Sequence, residues 1–258
     1  SVALLKTLET VRDHYIRLFE TAPPLASSLG SLVFTGDDED PETVATLASL
    51  GYANPREVSR TVRGWHFGRY PAMRSAAARE RLTEITPALL EAFAGSDNAD
   101  AAFNAFDRLL SRLPAGVQLF ALLASNPGLL NLLALVMGTA PRLADIVTAR
   151  PHVLDALLDP AFFGRLPDRA TLEARLEALI DGAEAIEEVM DRVRIFGKEQ
   201  SFLIGVRVLA GTVAARAAGF AYADLAELLL GTLLDHVRRA FEAAHGRMKH
   251  GRIALVAM

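Results

Sequence analysis

Cysteine is absent from all 258 residues. Its absence removes disulfides, thiolate metal sites and cysteine nucleophiles, and it suits a reducing cytoplasm. Aromatic residues are scarce at 7%, while Ala and Leu dominate, a mixture that favours close-packed helices over sheets. An excess of positive charge is also missing. The formal net charge is -4, so nothing electrostatic points to nucleic acid. Nor is there a glycine-rich phosphate loop, a nucleophile elbow or a His-Glu-x-x-His pair. The opening SVALLKTLETVRDHYIRLFE carries no signal pattern, because its apolar positions follow an amphipathic helix with charges between them.

Apolar residues, by contrast, are abundant at 51%, enough for a sizeable core and against large-scale disorder. One run, VQLFALLASNPGLLNLLALVM at 117–137, is long and apolar enough to raise a membrane span. Asn126-Pro127-Gly128 interrupts it and reads as a helix-turn-helix break. Two short helices buried in a soluble core are the expectation.

Punctuation along the chain is helical. The first helix is expected at about 2–21. Asp40 is placed to cap a helix that Pro41 opens and Gly51 closes, and Asn54-Pro55 repeats the pattern, with Gly64 and Gly68 loosening its end. A helix from about Met73 to Phe93 must accommodate Pro87. AGSDNAD, residues 94–100, reads as a hinge. SNPGLLNLL (125–133) and ARPHVLDAL (149–157) look like two copies of one unit offset by 24 residues, Leu130 matching Leu154 and Asn131 matching Asp155. Two copies suggest a paired helical hairpin, not a solenoid. Over 168–196 one long helix is predicted. Its seam of Leu172, Leu176, Leu179, Ala183, Ile186, Met190 and Val193 follows steps of four and three, packing within its own domain. A helix ending near Gly219 and a last one closed by His245-Gly246 follow, and RIALVAM (252–258) reads as a strand. The expected fold is all-α, a bundle of about ten helices with one terminal β-strand.

Candidate chemistry is thin. Gly30-Ser31 followed by Asp38 and Asp40 has the ingredients of a phosphate-binding turn and an acid pair for two magnesium ions. The spacing is too short, and the acids lack flanking strand residues, so they read as a capping loop. His14, His66, His152, His236, His245 and His250 show no metal-ligand spacing. No catalytic, metal or cofactor-binding residue is assigned. Residues 56–81 hold seven arginines against two glutamates. Within them Arg63, His66, Arg69 and Arg74 could form a surface that receives an acidic partner loop. The plainer reading is a solvated helix face with Trp65 tucked into the core. From residues alone, the chain is a helical scaffold or interaction module.

Four stretches say more: RLPAGVQLFALLASNPGLLNLLALVMGTAPRLADIVTARPHVLDALLDPAFF (112–163), GYANPREVSRTVRGWHFGRY, EQSFLIGVRVLAGT and AHGRMKHGRIALVAM. Together they resemble the bifunctional glutamine synthetase adenylyltransferase/adenylyl-removing enzymes of bacteria, in their proteobacterial form, over about residues 5–258. The resemblance implies a longer parent with two nucleotidyltransferase domains. One removes AMP from a tyrosine of glutamine synthetase by phosphorolysis; the other transfers AMP from ATP to the same tyrosine. It implies ATP and magnesium as the parent's cofactors, and glutamine synthetase, PII signal protein (modified and unmodified) and glutamine as its partners and effector, all in the cytoplasm.

On this resemblance, 1–97 is the helical tail of the first half with a linker or regulatory region. Residues 98–246 form the helical lead-in to the adenylylating domain, and 247–258 the first strand of a truncated catalytic sheet. The family's Gly-Lys-Leu-Gly-Gly-type turn and Ser-Asp-Leu-Asp-Leu metal motif are not among these residues. The fragment is therefore expected to be inactive alone and to couple the two activities, moving at 94–100 and near Gly197. The competing expectation is a stand-alone helical adaptor that binds protein partners without enzymatic activity.

Overall fold

The structure, a computed structural model, describes residues 32, 34, 40–158, 162 and 164–247. Ten α-helices and two 3-10 segments make up the regular structure there. No strand occurs among the described residues, and the all-α expectation holds. The helix expected at 2–21 and the strand expected at 252–258 lie outside them. The chain divides into two compact units, Ser1–Gly164 and Arg165–Met258.

Unit 1 contains α1 (Pro41–Ser49), α2 (Pro55–His66), a 3-10 turn (Pro71–Met73), α3 (Ala76–Ala94), α4 (Ala99–Arg112), α5 (Val117–Ser125), α6 (Pro127–Thr139), α7 (Pro141–Ala149) and a 3-10 segment (Pro151–Leu158). Side chains start the helices by accepting the amide protons that a first turn leaves unpaired. Asp40 Oδ2 takes the Thr43 N–H at 2.8 Å and its hydroxyl at 2.6 Å. Ser75 and Asn98 do the same for α3 and α4 at 3.1 and 2.9 Å. Asn54 precedes Pro55 as expected, but its side chain makes no capping bond. Instead Asp100, in the first turn of α4, accepts from the N–H groups of Ala53 (2.8 Å) and Asn54 (3.3 Å). The α2 start is thereby fastened to the helix at the centre of the unit, where Phe103, Phe106, Leu109 and Leu110 are buried. Helices α3, α6 and α7 pack around α4, and Pro87 is accommodated within α3.

The 94–100 segment, read as a hinge, is packed. The Ser96 hydroxyl donates to the Phe93 carbonyl at 2.6 Å. A methyl group on Gly138 of α6 would lie 2.3 Å from Ser96 Oγ, so the turn is pressed against that helix backbone. Phe93 and Phe106 meet across it with ring centroids 5.5 Å apart. The packing boundary of the chain falls after Gly164, well beyond this turn.

The apolar run breaks as predicted. Helices α5 and α6 meet at Asn126 with a bend of 111°, and Asn126 Nδ2 donates to the Leu122 carbonyl at 3.0 Å, closing α5. The suspected repeat also holds at the level of burial: Leu130 and Leu154 are buried, Asn131 and Asp155 exposed. One copy opens an α-helix and the other a 3-10 segment. A third member escaped the sequence reading, since Pro141 is followed by buried Ala144 and exposed Asp145. The residues before the three prolines share one conformation: φ/ψ of -133/80° at Asn126, -128/76° at Ala140 and -143/72° at Arg150. Each proline excludes its predecessor from the helical region, so the chain turns a corner at every step.

Unit 2 contains α8 (Arg169–Ile180), α9 (Ile186–Leu209) and α10 (Ala215–His245). The single helix predicted over 168–196 is in fact two. Gly182, at φ +72°, takes a left-handed conformation that L side chains disfavour, and Arg192 donates to the carbonyls of Leu179 (2.8 Å) and Asp181 (2.9 Å). The break resets the helical phase. Leu172 and Leu176 are buried as expected, but the seam then passes to Val189, Val193 and Phe196, leaving Leu179 and Met190 exposed. Nor is there a joint near Gly197 or a helix end near Gly219, because α9 runs through the first and α10 through the second. A methyl group on Gly197 would lie 2.6 Å from Leu229 Cδ1. The glycine serves a close crossing of α9 and α10.

Candidate functional site

The C-terminal end of α2 carries the residues singled out for partner binding. Its inner face buries Val58, Ser59, Val62 and Trp65. The Trp65 indole, 1% exposed, stacks on Phe103 (centroids 5.2 Å apart, 26° between planes) and meets Phe106 edge-on at 5.8 Å. Its Nε1 donates to Asp107 Oδ1 at 2.7 Å, and the Tyr70 hydroxyl donates to both oxygens of the same carboxylate at 3.0–3.1 Å. Burial, reinforced by the Asp107 charge, raises the Tyr70 pKa, so the phenol remains a donor at neutral pH. One carboxylate thus holds an indole and a phenol and pins the α2 end to α4.

Trp65 is core, as the plainer reading expected. Around it, Phe67 is 73% exposed. Arg69 is exposed, its guanidinium carbon 5.4 Å from the Tyr70 ring centroid in a cation–π contact. Arg74 is exposed, and Arg63 and His66 are half-buried. Burial lowers the pKa of His66, whose Nδ1 lies 3.3 Å from the Thr83 hydroxyl. An exposed aromatic and two exposed arginines sit on this pinned turn.

Two charges set within the packing, Asp107 half-buried and Arg207 buried, were missed. Asp107 lies in FNAFDRLL, one place after a core phenylalanine. Arg207 lies in FLIGVRVLAG, a lone charge in an apolar helix, and that isolation is the signal that could have found it. Arg207 is 5% exposed and lines a cavity of about 190 Å³ in unit 2 with Arg169, Gln200, Asp224 and Phe220. Burial, then the like charge of Arg175, bring its pKa down to about 10, so it stays protonated at neutral pH.

The acidic loop is a cap at Asp40, while Gly30, Ser31 and Asp38 lie outside the described residues. His236 Nδ1 sits 2.9 Å from the Thr232 carbonyl of its own helix, and the His245 ring lies against Phe241 at 4.7 Å. His14 and His250 lie outside the described residues. Among the described residues no three carboxylate or imidazole groups converge.

The profile of the glutamate-ammonia ligase adenylyltransferase family matches residues 130–258, from α6 through α10. The chain belongs to that family. It is similar over its full length to bifunctional glutamine synthetase adenylyltransferase/adenylyl-removing enzymes: 54% identical over 258 residues to that of Mesorhizobium japonicum, 52% to that of Brucella melitensis and 48% to that of Rhizobium meliloti. The chain spans 26% of the length of each of these relatives. The α2 edge lies outside the family profile but inside the stretch shared with the relatives.

Proposed function

We propose that this chain is the central, non-catalytic portion of an enzyme that adds AMP to glutamine synthetase and removes it, and that it positions the two activities. The observation that carries this reading is identity of 54% across all 258 residues with a relative nearly four times as long. On it, residues 1–97 belong to the first half and linker, 98–246 lead into the adenylylating domain, and 247–258 begin its sheet. ATP and magnesium act at residues outside this chain, in the cytoplasm, under control by PII and glutamine. Within the chain, the pinned α2 edge, with Phe67, Arg63, His66, Arg69 and Arg74, receives an acidic loop of a protein partner, glutamine synthetase or PII. Desolvated aromatic and arginine side chains are the groups that anchor such contacts.

The test measures AMP transfer from labelled ATP to glutamine synthetase, with the 258-residue chain and the full-length enzyme side by side. Transfer by the full-length enzyme alone is expected; transfer by the 258-residue chain would overturn the reading. For the edge, Arg69→Glu combined with Arg74→Glu should weaken calorimetric binding of one of the two partners by about tenfold (1.4 kcal/mol). Unchanged binding of both would remove the edge from the proposal.

A further inference from the structure

The last helix of unit 2 is apolar on two sides. Leu225 and Leu228 face inward with Ala218 and belong to the core of the unit. On the far side, Ala223, Ala226, Leu230, Leu234, Val237 and Phe241 recur at steps of three and four, which align on one face of a helix. At 1.5 Å per residue the stripe is about 27 Å long. It is open: Leu230 is 47%, Val237 46% and Phe241 50% exposed, and Leu234 alone of the six is half-covered. Helix α10 is 31 residues long, and only 17% of its most apolar window is buried.

Three observations narrow the occupant. Charged residues line one flank of the stripe, among them Glu227, Asp235, Arg238 and Glu242, and the opposite side is engaged with the unit's own core. A bilayer-spanning helix needs an apolar surface all round, so a protein face fits better than lipid. The family profile runs through α10 to residue 258, and the relatives hold roughly three quarters of their length outside the region shared with this chain. A segment tethered to the same polypeptide competes at an effective concentration of about millimolar, far above that of a second copy in solution.

We infer that the outer stripe of α10 is an intramolecular docking face, covered in the full-length enzyme by an apolar face of the same polypeptide drawn from outside these 258 residues. The inference rests on the proposed membership in a longer enzyme. It makes unit 2 a half-core that its parent completes.

A single cysteine introduced as Val237→Cys, and separately as Leu230→Cys, reports the cover directly, since this region has no cysteine of its own. Maleimide labelling of that site, resolved by peptide mass, is compared between the 258-residue chain and the full-length enzyme. Labelling at least about tenfold slower in the full-length enzyme, and independent of its concentration, is expected for a covered site that opens only locally. Equal rates in both would overturn the inference. Protection that grows with protein concentration would give the face to a second copy, and protection only with added phosphatidylglycerol vesicles would give it to lipid; either overturns it. AMP transfer by the same full-length preparations is measured in parallel. Active enzyme with an unprotected Val237→Cys site refutes the docking face alone, while a full-length protein inactive in transfer and removal refutes the functional reading.

Discussion

The two units spend their apolar residues differently. Among the described residues, eight large apolar side chains are notably exposed: Phe67 in unit 1, and Leu179, Met190, Phe220, Tyr222, Leu230, Val237 and Phe241 in unit 2. Unit 1 surrounds one central helix, α4, so that aromatic side chains from α2, α3 and α4 meet in a closed core. Unit 2 has three helices, and its long α10 has only one of its two apolar sides within that core. A helix apolar on two faces needs neighbours on both. The difference teaches that one chain can hold a unit closed around its core beside one that leaves an apolar helix face open.

The largest expected effect tests that contrast directly. Trp65→Ala empties the centre of unit 1 and should cost about 3–5 kcal/mol. Val237→Ala in the same 258-residue chain should stay within about 0.5 kcal/mol, as exposed positions do. Urea unfolding of both variants provides the comparison, and similar losses would break it. A smaller effect sharpens the view of unit 2, whose closed side is tightly fitted. Gly197→Val drives a side chain into Leu229 and should cost about 1–3 kcal/mol by overpacking. Adding Leu229→Ala should make the pair less harmful than the sum of the single changes, measured as a double-mutant cycle.

The smallest effect appears only at alkaline pH and belongs mainly to unit 1. Burial, with Asp100 nearby, holds the Tyr52 pKa far above its ordinary value, and its hydroxyl donates to the Leu90 carbonyl at 2.9 Å. Above about pH 10 the unfolded chain releases this proton while the folded chain keeps it. Stability contributed by Tyr52 is therefore complete below that pH and declines as pH rises toward the folded-state pKa. Tyr52→Phe should be less stable at neutral pH, yet lose less stability than the parent between pH 9.5 and 11 (about the titration range of free tyrosine). Parallel slopes in thermal melts across that range would count against the buried phenol.

Much of the helical layout was legible because it is written in local chemistry. Asp40-Pro41 and the Asn126-Pro127 break act within a few residues of where they stand. The errors came where distance decides. Residues 94–100 have the composition of a hinge, but only the approach of Gly138 to Ser96 shows that they are packed. The 168–196 seam looked continuous because the heptad count tolerates the bend at Asp181-Gly182, and the reset of phase depends on a turn that periodicity does not register. The α2 edge was half legible: its arginines and tryptophan stood out, while Asp107, which fixes the edge to α4, is a long-range partner that spacing alone does not reveal. Arg207 is a lone charge in an apolar helix, and only the fold shows it buried beside a cavity.

The α9–α10 hairpin has a consequence for how the protein is made. Its two helices are joined by five residues, 210–214, with Gly211 at φ +73°, and helical contacts this close in sequence form within microseconds. A ribosome adds only about 5–20 residues per second, so the hairpin can close while whatever follows it in a longer chain is still being translated. Throughout that interval the outer stripe of α10 faces solvent, with Glu227, Asp235, Arg238 and Glu242 along one flank of it. Those charges then act as gatekeepers for a nascent chain, keeping soluble a face that the proposed docking would cover only later.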